Sequence, residues 1–123
     1  MTLSRLAREF SAEIKQHDWS DAPWRIDRAG HTRAGDSKSR STDKVLTTEE
    51  TDRLRWNVVL VTAQVLMHSD PNLDLTEFAI ACGLPPRLTG EISRPNGSLK
   101  AGIRMSNDEP QKIARPGSWD FDE

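Results

Sequence analysis

The stretch from Thr47 to His68 limits the fold more than any other part of the chain. Thr47-Thr48-Glu49-Glu50 is a helix start. A threonine cap with a glutamate three positions on satisfies two orphan backbone donors, and an acidic first turn suits the helix dipole. The helix is expected to run to about His68. From Trp56 onward it is apolar on nearly every side, through Val58, Val59, Leu60, Val61, Ala63, Val65, Leu66 and Met67. A helix of that kind is expected to be surrounded by other elements, which makes it the central one. Val58-Val59-Leu60-Val61 also fits a buried strand, but the cap and the length favour a helix.

The remaining elements are shorter. Leu3, Leu6, Ala7, Phe10 and Ile14 recur at helical spacing, which predicts an amphipathic helix over 3–16 capped by Thr2 and packed on the core. Asp74-Leu75-Thr76-Glu77 is a second capping box, opening a helix over 75–82 that Gly83 terminates in the left-handed conformation. Pro85 and Pro86 suit the first turn of a further helix, 86–94, which stops before Pro95. Asn96-Gly97 is a turn signal. After it Leu99, Ala101, Ile103 and Met105 alternate with Lys100, Gly102 and Arg104, the period of a half-buried strand with no obvious partner.

Residues 17–46 carry no sustained period, although Trp19, Trp24 and Ile26 are expected to fold back onto the core. The expected fold is therefore mainly α: a small single-domain bundle of about four helices with one short β element after residue 96. Its expected organisation is an N-terminal helix and tryptophan segment over 1–29, a flexible linker over 30–46 and a helical core over 47–105. An acidic tail over 106–123 follows, of which 106–118 holds only Ile113 as a large aliphatic anchor.

Charge and cysteine use narrow the function classes. The net charge of -2 argues against a uniformly basic coat for nucleic acid. Its distribution is uneven, because residues 85–104 carry Arg87, Arg94, Lys100 and Arg104 against Glu91 alone. A single cysteine excludes an internal disulfide and suits a reducing, cytoplasmic setting. No secretory signal is visible, and the longest apolar run is too short and polar for a membrane span, so no membrane partner is expected. His17, His31, His68 and Cys82 share no zinc-type spacing, and no phosphate loop or nucleophile elbow is present. Neither a metal, a cofactor nor an enzymatic activity is expected.

Residues 75–94 carry the remaining information. Ala79 stands four positions before Gly83, a small residue that lets the next helix cross closely. Phe78, Cys82, Leu84, Leu88 and Ile92 supply apolar contacts between the two helices. This segment resembles the helix-turn-helix motif of DNA-binding proteins. The resemblance implies double-stranded DNA as a partner. It places Arg87, Glu91 and Arg94 on the exposed reading helix, with Lys100 and Arg104 touching the backbone from a wing-like strand. The rival expectation is a non-enzymatic protein–protein adaptor or inhibitor acting on a larger partner. There Trp119 and Phe121, spaced by acids in the tail, form a docking peptide or pack on the domain itself.

Overall fold

The computed structural model describes residues 3–24, 26, 28–30, 45–89, 99, 102–106 and 110–118. Among them the architecture is mainly helical: α1 spans Arg5–Gln16, α2 Thr48–Ser69, α3 Leu75–Ala81 and α4 Pro86–Thr89.

The cap of α1 is Ser4, whose Oγ accepts from the Ala7 amide at 3.2 Å, two positions beyond the expected Thr2. The helix buries Ala7, Ser11 and Ile14. Two small residues at the centre of that face allow close approach to α3 and α2. The narrowness of the contact corrects the expected stripe, since Leu6 and Phe10 fall on its shoulder and stay exposed. Beyond the helix, Trp19 does fold back: its Nε1 donates to the Ile14 carbonyl at 3.0 Å, satisfying a last-turn acceptor. Trp24 and Ile26 do not, and remain exposed.

The capping box of α2 forms in full, with Thr47 Oγ1 accepting from the Glu50 amide and Glu50 Oε1 accepting from the Thr47 amide. Val59, Leu60, Ala63, Leu66 and Met67 enter the core beside Phe78, Ala79, Cys82 and Leu84 of the α3 region. The helix is not enclosed, however. Val61 is 71% exposed and Val65 49%, so one side of α2 faces outward and the expectation of a surrounded helix is corrected. The short helices α1 and α3 cover only the opposite side.

Helix α3 begins as expected, with Asp74 Oδ1 accepting from the Glu77 amide at 3.0 Å. It ends at Gly83, whose φ of +99° is the left-handed region, while the Leu84 amide returns to the Ala79 carbonyl. Pro86 opens α4, which is described as far as Thr89; its expected continuation to 94 lies outside the described residues.

Among the described residues the expected strand after residue 96 is not formed: a turn closes at Gly102. Leu99 is helical and the Gly102 amide donates to its carbonyl at 2.9 Å. Leu99 and Ile103 are nonetheless buried, so the alternation reflects which residues reach the core and not an extended backbone. Extended pairing begins only at Arg104. Met105 and Ile113 form an isolated antiparallel bridge, flanked by hydrogen bonds from the Ser106 amide to the Lys112 carbonyl and from the Ala114 amide to the Arg104 carbonyl. Gln64 of α2 fastens this loop. Its Nε2 donates to the carbonyls of Arg104 and Ala114, both at 3.1 Å, and its Oε1 accepts from the Arg104 amide at 2.8 Å.

Candidate functional site

Three places on the molecule bring chemistry-bearing groups together. The first joins α4 to α2. Asp52, buried on the second turn of α2, receives Arg87 of α4 at 2.7 Å and Arg55 at 3.5 Å. Arg55 is itself largely buried, and its aliphatic stem passes beside the turn at Gly83. The cluster therefore fixes the α3–α4 turn against α2. Arg87, expected as a DNA contact, is half exposed but spends its guanidinium on this carboxylate.

The other expected contacts fare differently. Arg104 is half-buried, both its amide and carbonyl are held by Gln64, and its Nη2 donates to the Arg115 carbonyl at 3.2 Å. It is held in the loop fastened to α2, with its guanidinium turned to the Arg115 carbonyl. Glu91, Arg94, Lys100, Trp119 and Phe121 lie outside the described residues. The Asp52–Arg87 pair and the Gln64 clamp were not singled out from sequence; they join residues 35 to 50 positions apart, and that distance leaves no local pattern.

The second place is an open groove of about 400 Å³ at the end of α2, lined by His68, Pro71, Met105, Gln111, Lys112 and Ile113. Its lining is mostly apolar surface and includes His68 and Lys112. Among the described residues, no group of three His, Cys, Asp or Glu side chains is placed to hold a metal ion. No described helix is long and apolar enough to cross a membrane.

Cys82 lies beneath the α3–α4 turn and is fully buried. Burial pushes its thiol up to about 12, partly offset by the Arg55 charge. Desolvation thus makes it a poor nucleophile. A thiol reagent at pH 8 is expected to label Cys82 only as fast as the protein unfolds. Because the folded value lies above the unfolded one, the contribution to stability is complete below pH 9 and declines as pH rises from about 9 towards about 12. The slope is about 1.4 kcal/mol per pH step. Rapid labelling of the native protein would show that the site opens to solvent.

The third place is the outward side of α2. Leu54, Val58, Val61 and Val65 follow one another at spacings of four, three and four residues. At 3.6 residues per turn these positions form one stripe. Leu54 and Val58 are half-buried, whereas Val61 and Val65 are exposed. The polar neighbours on this side, Asn57 and Thr62, each donate one hydrogen bond back to their own helix. Asn57 Nδ2 reaches the Arg53 carbonyl at 2.9 Å and Thr62 Oγ1 the Val58 carbonyl at 2.8 Å. Between Glu50 and His68 the stripe bears no charge. Compared with protein-family models, with curated proteins and with solved structures, the chain matches none.

Proposed function

We propose that the protein is a non-enzymatic protein–protein adaptor or inhibitor that docks its partner on the outward side of α2. The observation that carries this reading is the exposed pair Val61 and Val65 on the longest described helix, continued by half-buried Leu54 and Val58 in a stripe without charge. Apolar surface of this kind gains free energy when another chain removes it from water, and contiguous patches mark interaction sites. The reading is tested with Val61→Glu/Val65→Glu. Both positions are exposed, so the double variant is expected to melt like the parent. The parent is expected to retain a stoichiometric protein partner that the variant loses. A partner recovered equally by both would overturn the reading.

A second reading, a small DNA-binding or transcription-associated protein, is supported by the helix pair itself. Ala79 is fully buried, Gly83 supplies the tight turn, and Arg87 is half exposed on the first turn of α4. Its pairing with Asp52 weighs against it as a base or phosphate contact. A mobility-shift assay at low and moderate salt separates the two readings, since each phosphate contact contributes about 0.9 to the log–log salt slope. No shift at low salt removes the DNA reading. A salt-dependent shift lost in Arg87→Ala would put it first.

A further inference from the structure

We infer that the groove at the end of α2 binds a small organic monoanion, an aromatic ring bearing one carboxylate. This site owes nothing to the docking role proposed for Val61 and Val65, and either can hold without the other.

The apolar part of the groove is fixed by the fold. Met105 and Ile113 stand directly opposite one another in the antiparallel bridge, so their side chains leave the same face of the pair. Gln64 holds the two segments that carry them against α2, through the carbonyls of Arg104 and Ala114. Pro71, in the turn after α2, adds a third apolar group. A volume of about 400 Å³ lies within the range of small-ligand sites. Met105 suits a ring in particular, because its polarisable thioether packs favourably at an aromatic edge.

Charge selects an anion. The lining carries one ammonium group, on Lys112, and no carboxylate. The main chain of Lys112 is bonded to Ser106 through both its amide and its carbonyl, whereas its ammonium meets no acceptor among the described residues. Asp70, the acid next to Pro71 in the chain, turns its Oδ1 to the Asn72 amide at 3.1 Å. His68 is exposed on the last turn of α2, and its ring also meets no partner among the described residues. That ring has an N–H to donate in either protonation state. An ammonium and an imidazole N–H beside apolar surface suit one carboxylate, held by charge-assisted hydrogen bonds. A bare inorganic anion would leave Met105, Ile113 and Pro71 in water, while a ring removes them from it.

The probe is 1-naphthoate, titrated into the full chain, with 1-naphthamide as the neutral control of the same shape. The methyl resonances of Met105 and Ile113 are expected to shift along one saturating curve, half complete at about 1 mM or below. The amide is expected to bind about tenfold more weakly, because it lacks the charge. Lys112→Gln is expected to weaken naphthoate by about the same factor, to leave naphthamide unchanged and to melt like the parent. Lys112→Arg is expected to restore the preference for the acid.

Shifts that never saturate, equal affinity for acid and amide, or an unchanged naphthoate affinity in Lys112→Gln would each overturn the anion site. A probe that saturates first at the Val61 and Val65 methyls lies on the outward side of α2, and the groove is then not its site. Trp119 and Phe121, rings set among acids, offer the same chemistry from within the chain. If Trp119→Ala/Phe121→Ala binds naphthoate about tenfold more tightly than the parent, the chain's own end competes for the groove, and a small molecule is not its occupant.

Discussion

Replacing Gln64 with leucine is expected to cost about 3 kcal/mol of folding stability and to release the loop between Arg104 and Ala114 from the body of the protein. Gln64 is 6% exposed and makes three hydrogen bonds to main-chain groups that no other side chain is seen to reach. Leucine matches its bulk but removes both partners of the amide. The Arg104 N–H and the Ala114 carbonyl then lie beside apolar surface without a counterpart. An orphaned buried polar group costs about 1–3 kcal/mol, well above the net value of a hydrogen bond between exposed groups. Gln64→Glu separates shape from bonding: a carboxylate still accepts from the Arg104 amide but no longer donates to the two carbonyls. It is expected to lose about as much as leucine, because burial then falls on a charge. Denaturant unfolding gives the stability, and amide exchange at Arg104 and Ala114 reports the loop. Unchanged protection at both amides in Gln64→Leu would mean that the Met105–Ile113 bridge holds the loop unaided.

What could be read from sequence follows the range of the interaction that decides it. The Thr47–Glu50 box, the Asp74 cap and the Gly83 terminator are set by groups within four residues of one another, and all three stand where the sequence puts them. The cap of α1 is equally local, and stands at Ser4, two positions beyond Thr2. Gln64 and Asp52 are different. In sequence, Gln64 is a polar interruption in an apolar run and Asp52 an ordinary acid near a helix start. Arg87 lies 35 residues from Asp52, and the groups Gln64 holds lie 40 and 50 residues away, so composition and period carry no trace of these links. The segment 99–105 was misread for another reason: alternation shows which side chains reach the core, and a turn can present Leu99 and Ile103 to it as well as a strand can. The stripe on α2 was hidden by its own helix. Its four–three–four pattern is present in the sequence, but Val59, Leu60, Ala63 and Leu66 fill the other side. An all-round apolar helix reads as enclosed until the packing of α1 and α3 shows which side is left over.

Asp52→Ala is expected to destabilise the protein by about 3 kcal/mol, several times more than Arg87→Ala, although the two residues form one ion pair. The asymmetry comes from burial. The Asp52 side chain is 12% exposed and also faces Arg55, which is similarly buried and whose Nε already lacks an acceptor. Without the carboxylate, the Arg55 guanidinium sits in a low-dielectric site with no counter-ion among the described residues, and breaking a buried pair this way costs up to about 3–5 kcal/mol. Without Arg87, Asp52 keeps Arg55. Arg87 is itself half solvated, so its contact is screened and worth about 1 kcal/mol or less. In the double variant the two losses should not add, and a coupling of about 0.5–1 kcal/mol is expected for side chains in direct contact. Amide exchange near Leu88 and Thr89 adds a local readout, because the Arg87–Asp52 ion pair ties α4 to α2. Faster exchange there in Arg87→Ala, with little change in global stability, is the signature of a tether. If Asp52→Ala costs no more than Arg87→Ala, water reaches the Arg55 guanidinium and the cluster is a surface ion pair.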